Sequence, residues 1–367
     1  MSAITRCKSI LRDQGFKTLT HRLIKYLFKH YIWSVIPKDK TFTIISRSRV
    51  LTGVYFILKG TFYEEQRAVL QGIAKYEECE AKRQNPRHRL IRSTHRIEKG
   101  LSMRDRRDVF AEGYIDSTVK DLKIAWDQQE PDKQLRWAVD VLAEYFDVVE
   151  ETNKISGPKD EYFDFLDTIE YSPSNRVPYQ RQELDSTSIS HENLEQLAFQ
   201  RTSTRWFQDK EVPREQIDKA LDVAMQSPSA CNRQSYEFRF YDDPELISEV
   251  SSLAIGATGY NDNIPCLGVI IGKQRAYSKD RDRHVIYIDA SLAAMAFQFS
   301  LETQGLASCC INWPAIPTAD REISELLNLD PDEEVIMLMA IGHPDPEGMI
   351  PYSEKKPVEN VRSFNEL

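Results

Sequence analysis

No run of eighteen apolar residues occurs along the 367 positions of this chain, so no segment reads as a membrane-spanning helix. The N-terminus also lacks an uninterrupted apolar core followed by a small-residue cleavage site, and no secretory leader is read there. The six cysteines form no CxxC pair and no metal-ligand spacing with histidine. No metal site is therefore expected, and mostly buried thiols in a reducing compartment are. Cys309 and Cys310 are adjacent, but a bridge between neighbours is strained, so free thiols are the expectation there too. No GxGxxG follows a strand-like run, which removes the usual signature of a resident dinucleotide. No internal repeat is seen. The net charge of −9 argues against a nucleic-acid partner, and the chain reads as cytoplasmic.

What is present is 41% apolar and 29% charged residues, ordinary for a globular protein and enough length for two or more domains. The charge is uneven. Residues 1–60 carry 12 Lys/Arg against 2 Asp/Glu, which leaves −19 to the remainder of a −9 chain. Between Leu19 and Ile36, Leu23, Leu27, Tyr31 and Val35 recur at helical spacing among Arg22, Lys25 and Lys29. Such a basic amphipathic helix either packs on its own domain or makes peripheral contact with an anionic membrane. Residues 1–60 thus read as a basic amphipathic segment, of which 41–60 suits a strand or a buried helix equally.

Residues 61–155 predict a helical region. One helix carries Val69, Ile73 and Tyr76; a second runs from about Ala111 to Gln128. A third follows Pro131, with Leu135, Val139, Leu142 and Phe146 on one stripe. His95 to Lys99 is followed by Gly100, which predicts a left-handed helix cap. Arg92, His95, Arg96 and Lys99 form a cationic cluster, suited to an anionic substrate if this region covers a site elsewhere. Residues 156–192, rich in Pro, Ser, Asn, Asp and Gln, read as a linker.

From residue 193 the pattern turns α+β. A helix is expected from Pro213, a strand over Tyr236 to Tyr241 and a helix over Pro244 to Leu253. Cys266–Gly272 and Glu334–Ile341 read as buried strands, and Ile286 to Gln304 as a helix apolar on all sides. The chemistry concentrates between Arg201 and Tyr236. Arg201, Thr202, Ser203 and Arg205 put two guanidiniums and hydroxyls together, the groups that grip phosphate and sugar-like alcohols. One helix later, Pro228, Ser229, Asn232 and Gln234 make a turn with two side-chain amides, suited to the polar edge of a heteroaromatic ring. Together they point to a phosphorylated ring cofactor. The similar string at Arg92 to Arg96 sits in a helical pattern without a partner turn and is read as a decoy.

The ordered series Arg201-x-Ser203-x-Arg205, then Pro228-Ser229-x-x-Asn232-x-Gln234, resembles the nitroreductase-like flavoprotein family. The resemblance continues through Gly305 to Trp313 and Ile341 to Pro344, and covers about residues 193–365. Ser235-Tyr236 departs from the Pro-Trp that often follows the glutamine in that family. The resemblance implies a mixed, mainly antiparallel sheet flanked by helices, preceded here by a mainly helical N-terminal region. It implies FMN as cofactor, NAD(P)H as a transient donor in a ping-pong cycle, a small electron acceptor and a homodimer. The long apolar helix would lie in the subunit interface, and the tail from Ile350 to Phe364 would wrap the partner. Arg201, Arg205 and then Lys355 or Lys356 are expected to hold the phosphate. Ser203 and Asn232 are expected on the ribityl chain, and Ser229 and Gln234 on the ring edge. A backbone N–H from Cys310, Ile311 and Asn312 is expected at the reactive nitrogen. Tyr236, Trp313 and His95 are the substrate-side candidates. No catalytic side chain is expected, because the cofactor carries the chemistry. Two alternatives stand beside this reading. One is a flavin oxidase or dehydrogenase working on a larger biosynthetic substrate. The other is a non-catalytic scaffold drawn to a membrane-linked complex by its basic N-terminus.

Overall fold

A computed structural model describes residues 38–60, 62–82, 86–128 and 130–366; the helix expected over residues 19–36 lies outside them. The chain divides into two compact units, residues 1–67 with 315–320, and residues 68–314 with 321–367.

In the first unit, helices α1 (Lys38–Ser46) and α2 (Arg49–Lys59) occupy the stretch that suited either strand or helix. Ser48 caps α2 by accepting from the Leu51 N–H, and Gly60 closes it in the left-handed conformation. Tyr55 is buried on α2, edge-on to Phe42 at 6.0 Å and to Phe56 at 5.2 Å. Val50, Val54 and Ile57, at i, i+4 and i+7 on the same helix, are all exposed.

The helical part of the second unit comprises α3 (Tyr63–Lys82, from residue 68), α4 (Arg87–Leu101), α5 (Ile115–Gln128), α6 (Lys133–Val148) and α7 (Ser156–Leu166). Leu135, Val139, Leu142 and Phe146 are buried on one stripe of α6, as their spacing predicts. They form one core with Leu90 and Ile97 of α4 and with Val119 and Leu122 of α5. Asp132 starts α6 by accepting from the Gln134 and Leu135 N–H groups.

Two expectations change here. Gly100 is not a left-handed cap, since α4 runs through it to a right-handed end at Ser102. A Cβ at Gly100 would stand 2.5 Å from the Phe110 ring, so the glycine is there for close approach. The stretch read as a linker opens with α7, whose Tyr162 and Phe165 are buried. Beyond it, residues 171–176 are tied down to Asp140 of α6.

The remaining elements are α8 (His191–Gln200), α9 (Arg214–Ala224), β1 (Tyr236–Tyr241), α10 (Pro244–Ser252), β2 (Cys266–Lys273), α11 (Val285–Thr303), β3 (Ala307–Asn312), α12 (Pro317–Leu326) and β4 (Glu333–Gly342). Pro213 sits one residue ahead of α9 rather than inside its first turn. The four strands pair antiparallel in the order β1-β2-β4-β3. β2 is buried at every residue except Lys273, as its uniform apolarity predicts. α11 covers the sheet with Ile286, Ala290, Ala293, Phe297 and Leu301. Gly272 permits the contact, for a Cβ there would meet Ile286 at 2.8 Å. α11 is long and apolar enough to cross a membrane by length and composition alone, yet half of it is buried in this core. Ile288 and Leu292 stand exposed on its outer side, and the tail from Ile350 exposes Tyr352, Val358 and Phe364.

Candidate functional site

The phosphate-type motif lies against the outer edge of β3. Ser203 forms a parallel bridge with Ser308, and the Thr204 N–H donates to the Ser308 carbonyl at 3.2 Å. Arg205 is held by its own turn, donating to the Ser203 carbonyl at 3.2 Å, with its guanidinium 5.8 Å from the Tyr260 ring centre. Among the described residues neither Arg201 nor Arg205 forms an ion pair with a carboxylate, although both are half-buried. Half-buried guanidiniums without an acid partner retain unspent donors, which suits a phosphate dianion.

Glu302, near the end of α11, is the acid that feels Arg201. Burial pushes its carboxyl up to about 7 against the opposing pull of Arg201. One of its oxygens is buried without a hydrogen-bond partner among the described residues. A folded-state value above the ordinary 4.5 means that the native protein holds the proton longer than the unfolded chain. Stability from this group is full below 4.5 and is lost as the pH rises towards 7. Glu302→Gln should therefore be more stable than the parent at pH 8, by on the order of 2 kcal/mol, with little difference at pH 4.5. Urea unfolding at the two pH values checks this, and parallel pH profiles would contradict it.

The amide-bearing turn sits elsewhere, at the start of β1 and beside the first half of α11. Asp289 fixes it, accepting from the Ala230 N–H at 3.0 Å and from the Tyr277 hydroxyl at 3.2 Å. Burial raises the Asp289 carboxyl, offset by those two donors. Within the turn, the Ser229 hydroxyl accepts from the Gln234 N–H at 3.2 Å, and the two side-chain amides of Asn232 and Gln234 meet at 3.3 Å. Cys231, Asn232 and Gln234 all adopt positive φ, at 54°, 54° and 49°. Left-handed backbone in residues other than glycine costs roughly 1–2 kcal/mol each and persists where the surroundings enforce it, as they do at functional turns.

The structure does not bring the two motifs together within one chain. Asp289 and Glu302 are thirteen residues apart on α11, about 20 Å at roughly 1.5 Å per residue. The sheet gives the same answer. Ser203 pairs outside β3 while Gln234 leads into β1 at the opposite edge, four strand spacings or about 19 Å away. A single cleft closed by both segments of one chain, which the sequence pattern suggested, is corrected by that strand order.

The helical region packs on the amide turn instead. A cavity of about 410 Å³ opens there, floored by Pro228, Ser229, Asn232 and Gln234. Its opposite wall carries His95 and Glu98 of α4 with Lys133, Gln134 and Trp137 of α6. Gln134 donates to the Gln234 side chain at 3.4 Å and is itself held by Arg87 at 2.9 Å.

The other expected residues are distributed around these two places. Cys310 and Asn312 are exposed on β3 while Ile311 points into the core, and Trp313 just beyond the strand is buried. Tyr236 opens β1 with a buried hydroxyl that has no hydrogen-bond partner among the described residues. Lys355 and Lys356 are exposed on the C-terminal tail. Thr202 lies in the Arg201 to Arg205 turn, its hydroxyl 3.5 Å from that of Thr204. Asp289, Lys133 and Trp137 were not singled out from the sequence, whereas Glu98 stands with His95 and Lys99 in a stretch whose residue types could move protons. For Asp289 there was a signal, since it is the single acid between Val285 and Leu301 in an otherwise apolar helix.

The nitroreductase family profile matches residues 198–263 and 261–343. Iodotyrosine deiodinase 1 of Pongo abelii is 21% identical over 230 residues, 55% of this chain and 78% of that protein. Iodotyrosine deiodinase of Hydra vulgaris is 22% identical over 232 residues, 56% of this chain and 83% of that protein. Among solved structures, an FMN-dependent nitroreductase from Clostridium difficile R20291 is 29% identical, covering 46% of this chain and 96% of its own, with a TM-score of 0.40. The NfrA1 nitroreductase from B. subtilis is 23% identical, covering 47% and 74%, with a TM-score of 0.42. The match over residues 198–343, with their antiparallel sheet and buried central helix, makes the C-terminal part of this chain similar to the nitroreductase family.

Proposed function

We propose that the chain is an FMN-dependent oxidoreductase that works as a homodimer, with each flavin site assembled from two subunits. The observation that carries this is a pair of half-buried guanidiniums, without an ion-paired carboxylate among the described residues, held about 20 Å from their amide-bearing counterpart in a nitroreductase-family domain. Two-fold pairing brings the Arg201 end of one copy to the Ser229 end of the other, because a two-fold interface places opposite ends of the same element side by side. The exposed Ile288 and Leu292 of α11 and the apolar side chains of the tail supply surface for such pairing.

In this reading Arg201 and Arg205 hold the phosphate, with Lys355 or Lys356 of the tail as further cations. Ser203 and Asn232 bond the ribityl hydroxyls, while Ser229 and Gln234 face the polar edge of the ring. A backbone N–H from the Cys310 to Asn312 segment serves the ring nitrogen at the reacting centre. When bound, the flavin supplies two-electron transfer, drawing on NAD(P)H and passing the electrons to a small acceptor. The deiodinases among the relatives, by their name, remove iodine from iodotyrosine, and a reductive role is our reading for this chain.

Complementation tests the arrangement. Arg201→Ala/Arg205→Ala and Asn232→Ala/Gln234→Ala should each bind little FMN alone. Mixed and allowed to exchange subunits, they should regain about a quarter of the wild-type FMN, since half the dimers are mixed and each of those has one intact site. No recovery in a mixture shown to contain mixed dimers would remove the shared site.

A larger substrate, presented by the helical region, is the second reading, and the 410 Å³ cavity under α4 and α6 favours it. For location, we propose peripheral contact with an anionic bilayer through the first unit. The exposed stripe of Val50, Val54 and Ile57 lies in a segment of 12 cationic and 2 acidic residues. The full-length protein should pellet with phosphatidylglycerol vesicles and not with phosphatidylcholine vesicles, and Val50→Asp/Ile57→Asp should abolish it. Equal pelleting of parent and variant would set the contact aside.

A further inference from the structure

The end of α11 lies behind the arginine turn. Ser203 bridges Ser308 of β3, and the Ser308 hydroxyl donates to Gln298 Oε1 at 3.4 Å. Glu302 stands one helical turn beyond Gln298 on the same face of α11. Ser308 and Gln298 are buried, and Glu302 Oε1 is buried with no hydrogen-bond partner among the described residues. Glu302 also forms no ion pair there. Its place in the last turn of a nineteen-residue helix puts it at the negative end of the macrodipole. A carboxylate so placed is costly, and the group keeps its proton instead. Burial accordingly lifts it to about 7 against the pull of Arg201.

The neighbouring groups leave this charge to Glu302 alone. Arg201, at the end of α8, is the charged group that acts on it. The other charged or titratable side chains of α8, His191, Glu192 and Glu195, are exposed. On β3, the Cys310 thiol feels the same guanidinium and is pushed up to about 11 by burial and by Cys309. Beside Arg205, burial raises the Tyr260 phenol to about 12. α9 meets this end of α11 through Gln216, an uncharged group that exchanges bonds with Gln304 at 3.4 and 3.1 Å. Arg214 and Lys219 of α9 are paired with Asp242 and Glu215. Behind the arginine turn, Glu302 is thus the buried group poised to change charge near neutral pH.

We propose that Glu302 couples the anion site at Arg201 and Arg205 to a proton. Neutral, its carboxyl leaves both guanidiniums to an oxyanion. Ionised, it draws Arg201 to itself and repels an incoming dianion. The bound anion in turn holds the proton on Glu302, so above neutral pH one proton is taken up with each anion. That the anion is the phosphate of FMN rests on the flavin reading; the coupling of an oxyanion to Glu302 does not.

The test uses full-length protein freed of bound flavin, at pH 6.5 and pH 8.5. Fluorescence quenching gives the affinities of FMN and riboflavin, and equilibrium dialysis that of labelled sulfate. Sulfate is a dianion at both pH values, and the FMN phosphate is largely so, with a second pKa of about 6. FMN and sulfate should each bind about tenfold more weakly at pH 8.5, within the ceiling of about 25-fold set by one group titrating at about 7. Riboflavin, which lacks the phosphate, should bind alike at both. Glu302→Gln keeps the shape and cannot ionise, so its affinities for FMN and sulfate should be level across the two pH values. The proposal is overturned if neither anion binds more tightly at pH 6.5, or if the fall persists in Glu302→Gln. A pH-dependent sulfate site in a protein that binds no FMN would leave the coupling standing and remove the flavin reading. FMN bound equally at both pH values, with sulfate unmoved, would do the reverse.

Discussion

Replacing Arg201 and Arg205 together by alanine should lower FMN affinity by about two to four powers of ten. Each charge-assisted bond to a phosphate contributes about 1.5–3 kcal/mol, and a factor of ten corresponds to about 1.4 kcal/mol. The fold should be little affected, because neither side chain forms an ion pair with a carboxylate among the described residues, and Arg205 contacts only its own turn and the Tyr260 side chain in the interactions seen there. The double lysine variant should fall between the two, since an ammonium keeps the charge and loses the fork. FMN content of the purified proteins, read against far-UV circular dichroism, checks all three. Full FMN occupancy in the double alanine variant would mean that the phosphate is held elsewhere.

Asp140→Ala should produce the largest loss of stability, about 3–5 kcal/mol, the usual consequence of leaving buried polar partners unmatched. Asp140 is 1% exposed on α6. It accepts from the Ser174 N–H at 2.9 Å, the Ser174 hydroxyl at 2.8 Å, the Tyr171 hydroxyl at 2.9 Å and the Arg176 N–H at 3.1 Å. Burial acts to raise its pKa, but the Ser174 and Tyr171 bonds and the Arg176 amide outweigh it, and the carboxyl sits below its ordinary 3.8. The sign follows: this stability is present above 3.8 and is lost as the pH falls through the lower folded value. Urea unfolding at pH 7 should show the full deficit for Asp140→Ala, and the gap to wild type should narrow in acid. A deficit below about 1 kcal/mol at pH 7 would show that residues 171–176 are not held by this carboxylate.

Several parts of the fold were legible locally. β2 was visible as an unbroken apolar run and α11 as a helix apolar on all sides, because burial on every face removes the polar period from the sequence. The arginine and amide motifs were legible as residue types. Their separation was not. It follows from the strand order β1-β2-β4-β3, which no local pattern encodes. Gly100 shows the same limit on a smaller scale: a glycine near a helix end looks alike whether it turns left-handed or makes room, and here Phe110, ten residues on, decides. The helix at Ser156–Leu166 was hidden by its polar composition, since only Tyr162, Phe165 and Pro158 along it are buried. The pairing of His95 with Glu98 is local to α4, but the bond from Trp137 to Glu98 depends on α4 and α6 meeting, and nothing local gave a sign of it.

The bend from Cys231 to Gln234 has a further consequence. Three of its four residues hold a backbone that glycine adopts more cheaply. Random variants of this protein sorted for heat resistance alone should therefore drift towards glycine at 231 and 234. Sorted for pigment, they should keep the glutamine at 234, and the divergence of the two populations would separate what the bend does for the fold from what its side chains do for the ligand.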